Sequence, residues 1–104
     1  MSDHVFDKER WAKLSLFEQM GNIGSEVGRT MNAMQRGDLV SAQGAYFRGL
    51  DLIDATAVTN MPLGRRRELL RARELFSASV ESQQVDRSLD AYFTQYAIAA
   101  RAHR

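Results

Sequence analysis

The sequence contains no cysteine, one proline and two histidines. Without cysteine it can form no disulfide, thiolate nucleophile or cysteine-based zinc site, which fits a cytoplasmic protein. His4 and His103 lie near the chain ends, and the chain lacks the Glu-x-x-His pair used by di-iron bundles. No base is identifiable near a serine nucleophile. We therefore predict no catalytic site, no metal and no cofactor.

Strong charge and long apolar runs are also missing. A formal net charge of +1 gives no bulk attraction to nucleic acid or anionic lipid. The polar N-terminus, MSDHVFDKER, does not resemble a signal peptide. Hydrophobic residues make up 44% and charged residues 26%, which is ordinary for a folded soluble protein. We predict a single cytoplasmic domain over residues 1–104, without membrane insertion.

What the sequence does contain is apolar residues at helical spacing. Pro62 is the only proline, and no alternating run rich in Val, Ile and Thr competes for strand. Four long helices are predicted over residues 15–36, 39–58, 64–79 and from an N-cap at Ser88 to the C-terminal region, after a short helical lead-in around Trp11. Their short connections predict an all-α fold, an antiparallel up-and-down four-helix bundle.

The first long helix has clear end signals. Ser15 and Glu18 have the spacing of a capping box, and Gly37 followed by Asp38 marks the end of this helix and the start of the next. The buried face predicted for this helix comprises Leu16, Met20, Ile23, Val27, Met31 and Met34. Among the later helices, Ile53, Phe76 and Phe93 are predicted core residues.

Three groups of residues are candidate interface positions. Gly21, Gly24 and Gly28 share one flank of the first long helix, where either a helix of the same bundle or a partner could pack closely. Trp11 is expected to anchor the lead-in, with an exposed interface tryptophan as the alternative. A second apolar stripe on the next helix faces the lead-in, the fourth helix or another subunit. Its members are Val40, Phe47 and Val58.

The charged residues suggest two further hypotheses. Asp54 and Arg73 lie at the margins of apolar stripes, and we predict that they pair across a helix interface, the alternative being two independent surface charges. Arg65, Arg66 and Arg67 could contact nucleic acid, with Tyr92 or Tyr96 stacking on a base. Interleaved Glu68 and Glu74 favour a solvated face instead.

Four segments together resemble a family of small all-helical bacterial and archaeal proteins without an assigned activity. They are Trp11 with KLSLFEQMGNIGSEV, RGLDLID at 48–54, ELLRARE at 68–74 and YFTQYAIAAR at 92–101. The resemblance implies a fold rather than a function. It also implies an interhelical charge network. The positions concerned are Glu26, Arg48, Asp54, Glu68, Arg71 and Arg73.

Together these features predict a non-catalytic helical interaction module that binds a protein partner or self-associates. The alternative is a nucleic-acid-associated protein that uses the arginines of the third long helix. No motif identifies a ligand, a pathway or a particular partner.

Overall fold

The computed structural model describes residues 7–59 and 61–102, of which 84% are helical and none form a strand. The five helices are α1 (Lys8–Ala12), α2 (Leu16–Gln35), α3 (Leu39–Ala57), α4 (Leu63–Ser82) and α5 (Arg87–Ala102). The prediction of an all-α fold is confirmed. His4 and His103 lie outside the described residues.

The predicted end signals of α2 are present. The Ser15 hydroxyl accepts a hydrogen bond from the Glu18 N–H at 3.1 Å, and the Glu18 carboxylate accepts one from the Ser15 N–H at 3.0 Å. Gly37 follows the helix with a φ of +76°, a left-handed conformation that glycine adopts without strain. Asp38 then caps α3 by accepting a hydrogen bond from the Ser41 N–H at 3.1 Å.

Two predicted boundaries are wrong. The third long helix, α4, continues beyond residue 79 to Ser82 and ends at Gln83, which has a φ of +57°. The polar residues at this end remain helical because they form an exposed last turn, in which the Ser82 hydroxyl donates to the Ala78 carbonyl. Ser88 is not an N-cap, since α5 already begins at Arg87 and the carboxylate of Asp86 accepts from the Ser88 N–H at 3.0 Å.

The core forms around α2, which packs extensively against α3 on one side and α5 on the other. The five residues that we predicted at its centre are fully buried. They are Ile23, Val27, Ile53, Phe76 and Phe93. Burial of side chains of this size contributes about 1.5–3 kcal/mol each, so the core is the main source of stability.

The contacts between α3 and α4 show that these two helices run in opposite directions. Tyr46 contacts Ser77, whereas Ala57, near the other end of α3, contacts Arg66 near the start of α4. The C-terminal half of α3 therefore lies beside the N-terminal half of α4. No helix in the described part of the chain is long and apolar enough to cross a membrane.

Candidate protein interface

Exposed apolar side chains concentrate on α3, α4 and their ends. Nine large hydrophobic residues are exposed among those described, and seven of them lie here, against one in the α4–α5 connection and one on α5. The seven are Leu39, Val40, Phe47, Val58, Leu63, Leu70 and Leu75. A contiguous exposed apolar patch is typical of a docking site, whereas scattered apolar residues are not.

Within this set, heptad spacing aligns the side chains into two rows. Val40, Phe47 and Asp54 are seven residues apart on α3, and Leu63, Leu70 and Ser77 are seven apart on α4. Seven residues bring a helix to within about 20° of the same direction, so each set forms one row along its helix. Val40 is 85% exposed, Phe47 54%, Leu63 59% and Leu70 41%, so both rows face solvent.

The two rows flank the line along which α3 and α4 meet. Asp54 of the first row accepts two hydrogen bonds from the Arg73 guanidinium, at 2.8 and 3.2 Å. Ser77 of the second row accepts one from the Tyr46 hydroxyl at 2.9 Å. Each row is thus bonded to the opposite helix, so the rows run side by side. Because the two helices are antiparallel, Val40 and Phe47 lie toward one end of this surface, and Leu63 and Leu70 lie toward the other. We call Val40, Phe47, Val58, Leu63 and Leu70, with the central Asp54–Arg73 pair, the outer α3–α4 face.

Charged side chains without an ion-pair partner lie on both halves of the outer α3–α4 face. On α3, Asp51 lies beside the apolar row and has no ion-pair partner among the described residues. On α4, two arginines and one glutamate, Arg67, Arg71 and Glu74, likewise lack an ion-pair partner in the described part of the chain. An unpaired charge at the rim of an apolar patch is available to a charge on a partner.

The pairing predicted for Asp54 and Arg73 is present, and the hydrogen bonds that the Arg73 guanidinium donates to the Asp54 carboxylate raise the pKa of Arg73 above its ordinary value. Both side chains are partly exposed. Exposed pairs of this kind contribute about 0.2–1 kcal/mol, so the pair acts mainly to align α3 with α4.

The other flank of α3 borders a groove beneath α1 of about 760 Å³. Its apolar lining comes from Trp11, Ala12, Ala55 and Val58, with Asp51 at the rim. Trp11 itself is buried, and its indole N–H donates to the Thr56 hydroxyl at 3.0 Å. Trp11 therefore anchors α1 to α3 as expected, and the alternative of an exposed interface tryptophan is wrong.

The glycine flank of α2 is occupied within the chain, by α5. A Cβ added at Gly24 would lie 2.6 Å from the Phe93 Cβ, and one at Gly21 would lie 3.4 Å from Ala97. A Cβ at Gly28 would lie 3.2 Å from the Asp90 carboxylate. These glycines allow two helices of the same chain to pack closely, as one of the two interpretations expected. An open groove of about 350 Å³ is also lined by the three glycines, so the alternative of a partner at this flank stays a prediction.

The six predicted members of the charge network do not form one network. Glu26 pairs with Arg48 across the α2–α3 interface at 3.2 Å and with Arg29 at 3.3 Å. Glu68 pairs with Arg65 at 3.7 Å, in a cluster separate from the Asp54–Arg73 pair. Arg71 belongs to none of these groups.

Residue spacing alone could not separate the three charge clusters. Arg48 and Asp54 both lie on α3, yet Arg48 pairs with α2 and Asp54 pairs with α4, because each partner is fixed by the packing of the whole chain.

Two of the three arginines proposed for nucleic-acid contact have internal partners. Arg66 donates to the carbonyls of Ala57 and Thr59, both at 2.9 Å, and so caps the C-terminus of α3. Arg65 hydrogen-bonds the Tyr96 hydroxyl, and its guanidinium carbon lies 5.3 Å from the centre of that ring. Arg67 remains exposed. Tyr96, one of the two tyrosines expected to stack on a base, is thus occupied by an arginine of the same chain.

The α4–α5 side also holds a tyrosine pair. The Tyr92 hydroxyl donates to the Glu68 carboxylate at 3.3 Å, and its ring packs edge-on against Tyr96 at 5.6 Å. Burial, followed by the neighbouring Tyr96 and Glu68, raises the pKa of Tyr92. The phenol is therefore a hydrogen-bond donor at neutral pH. No group of three or more His, Asp or Glu residues within the described ranges could hold a metal ion.

Comparisons with protein-family models, with curated proteins and with solved structures gave no match. The family resemblance of the four sequence segments therefore stays a prediction.

Proposed function

We propose that this protein is a non-catalytic interaction module, and that it docks another protein through the outer α3–α4 face. The observation that supports this most strongly is the placement of exposed apolar side chains. Val40, Phe47, Leu63 and Leu70 lie in two neighbouring heptad rows, whereas α5 exposes only Ile98 among its described large hydrophobic residues. Heptad rows are the pattern by which one helix packs into another.

The size of the face supports a modest but specific interface. Helices α3 and α4 have 19 and 20 residues, so each is about 30 Å long. With packed helices about 8–10 Å apart, the face is about 20 Å wide and offers roughly 600 Å². That is close to the roughly 800 Å² per partner of a standard interface. The groove beside Trp11 and Val58 adds a concave site for a partner side chain.

The proposal also includes the arrangement of the helices and the cellular location of the protein. The four long helices are proposed to form an antiparallel up-and-down bundle, to which α1 adds a short cap. The opposite running directions of contacting residues in α3 and α4 support this arrangement. A cytoplasmic location is proposed from the absence of cysteine in the sequence.

Nucleic-acid association through α4 is the alternative function. It is favoured only by Arg67 and Arg71, which have no ion-pair partner among the described residues. Salt-sensitive retention of RNA or DNA that is lost in the Arg67→Ala/Arg71→Ala variant would support it, because phosphate contacts release counterions.

Site-specific photo-crosslinking in the native host tests the docking face. A photoreactive phenylalanine analogue is placed at position 47 or 70, with position 98 as the matched control, since Ile98 is also an exposed apolar residue. We expect protein adducts from positions 47 and 70 and little from position 98. Adducts that are absent from positions 47 and 70, or equally strong from position 98, contradict the proposal.

A further inference from the structure

We propose that a pocket between α2 and α3 binds a phosphate group, carried either by free phosphate or by a phosphomonoester. The pocket has a volume of about 180 Å³. None of the residues that line it belongs to the outer α3–α4 face, so the proposal does not depend on the docking function. The lining residues are Arg29 and Asn32 of α2, Arg36 at the end of that helix, and Ser41, Ala45 and Arg48 of α3.

Helical spacing and helix packing bring the three arginines of this pocket together. Arg29 and Arg36 are seven residues apart, which places them on the same face of α2. Arg48 extends from α3 toward that face, where its Nε lies 3.2 Å from the Glu26 carboxylate. Ala45 is buried between the two helices, and its side chain is too small to fill the space between them. The result is a concave surface with a guanidinium on both helices.

The charges around the pocket favour an anion. Every charged residue that lines it is an arginine. The carboxylates that pair with these arginines lie outside the lining. Glu26 pairs with Arg29 at 3.3 Å and with Arg48 at 3.2 Å, and Asp38 lies 3.7 Å from Arg36. Two carboxylates thus face three guanidinium groups, which leaves one positive charge unbalanced at the pocket.

The three guanidinium groups also retain most of their hydrogen-bond donors. Arg48 Nε donates to the Glu26 carboxylate at 3.2 Å, which orients this guanidinium and leaves its terminal nitrogens without an acceptor among the described residues. Arg29 contacts Glu26 as an ion pair without hydrogen-bond geometry. The distance from Arg36 to Asp38 is beyond hydrogen-bond range. Guanidinium groups with unused N–H donors bind phosphate oxygens in pairs, as a planar fork.

The size of the pocket limits what can enter it. A volume of about 180 Å³ is about the share of six water molecules in the liquid. It accommodates a phosphate group, whereas a sugar or base attached to that group would extend into solvent. Asn32 adds a neutral donor, because Arg87 occupies its carbonyl oxygen at 3.0 Å and leaves the amide nitrogen available to donate. The pocket therefore recognises the phosphate group rather than the rest of the ligand.

Titration with inorganic phosphate, followed by ¹⁵N–¹H correlation NMR of the full chain, tests the proposal. So small a ligand binds with about micromolar affinity at best, and the titration therefore extends into the millimolar range. Potassium chloride at matched ionic strength is the control for general screening. We expect saturable shifts at the Nε–H groups of Arg29, Arg36 and Arg48 with phosphate and not with chloride.

Three substitutions locate the binding. Arg36→Met and Arg48→Met should each raise the dissociation constant about tenfold or more, because each removes a charge-assisted contact. Arg67→Met removes an exposed arginine of α4 and is the charge-matched control, which should leave the affinity unchanged. Circular dichroism checks that each variant is folded. Arg36 makes no hydrogen bond through its side chain to the described residues, so Arg36→Met remains decisive even if Arg48→Met destabilises the fold by releasing Glu26.

A parallel titration with methyl phosphate distinguishes the two sources of the phosphate group. Binding within about tenfold of inorganic phosphate supports a phosphomonoester as the ligand, and weaker binding supports free phosphate. Shifts that do not saturate, or that chloride reproduces, overturn the proposal. An affinity that Arg36→Met leaves unchanged, or that Arg67→Met lowers equally, also overturns it. Neither result bears on the crosslinks expected from positions 47 and 70.

Discussion

Replacing Gly24 with alanine is predicted to destabilise the protein, although alanine favours helix. A Cβ at this position would lie 2.6 Å from the Phe93 Cβ, whereas ordinary contact begins near 3.4 Å. The Phe93 Cβ is attached directly to the backbone of α5, so it cannot rotate away. The two helices must therefore separate locally by about 0.8 Å, the difference between these distances.

Gly21 provides the matched control for this substitution. A Cβ at Gly21 would meet Ala97 at 3.4 Å, an ordinary contact, so Gly21→Ala requires no movement. Both substitutions gain about 1 kcal/mol from helix propensity. Only Gly24→Ala incurs overpacking, which typically costs about 1–3 kcal/mol. The difference in unfolding free energy between the two variants should therefore equal this overpacking cost.

Urea unfolding followed by far-ultraviolet circular dichroism measures both variants under the same conditions. We expect Gly21→Ala to be at least as stable as the unaltered protein and Gly24→Ala to be less stable than Gly21→Ala by about 1–3 kcal/mol. Gly28→Ala should fall between them, because its Cβ would meet the movable carboxylate of Asp90 at 3.2 Å. Equal stability of the Gly21 and Gly24 variants would refute the close crossing of α2 and α5.

Three further variants each remove the hydrogen bonds or the charge of one side chain. Trp11→Phe removes the donor to Thr56 and should lower the unfolding free energy by about 1–3 kcal/mol in urea unfolding, and unchanged stability would contradict docking of α1. Arg66→Met removes the cap on α3 and should destabilise by about 1–2 kcal/mol in the same assay, while Arg67→Met should have little effect. Hydrogen bonds from the Ser41 hydroxyl and N–H lower the pKa of Asp38, so its contribution to stability is present above pH 3.8 and is lost as the pH falls through the lowered value. Asp38→Asn should reduce that acid dependence, measured as thermal midpoints against pH.

Features that depend on neighbouring residues could be predicted from the sequence. The capping box of Ser15 and Glu18 spans one helical turn, so its geometry follows once the helix forms. The burial of Ile23, Val27 and Phe76 follows from helical periodicity for a similar reason. These signals lie within single helices, and no knowledge of helix order in space is needed.

Features that depend on which helices meet could not be predicted in this way. The glycine flank of α2 is suited to any close neighbour, and only the folded chain shows that α5 occupies it. Arg66 has the same local surroundings in sequence as Arg67, yet it reaches the end of α3 because of where α4 begins. Sequence analysis also did not predict that Leu63 and Leu70 are exposed. Helical periodicity places both side chains about 100° or more around α4 from the buried Leu69, so this signal was present in the sequence.

The most direct test of the docking face is the yield of protein adduct from a photoreactive analogue at position 47, measured in the Leu70→Asp variant beside Ile98→Asp, since each substitution places a charge at an exposed apolar position. We expect Leu70→Asp to lower the yield of the adduct and Ile98→Asp to leave it unchanged. Equal yields from the two variants would contradict the docking face.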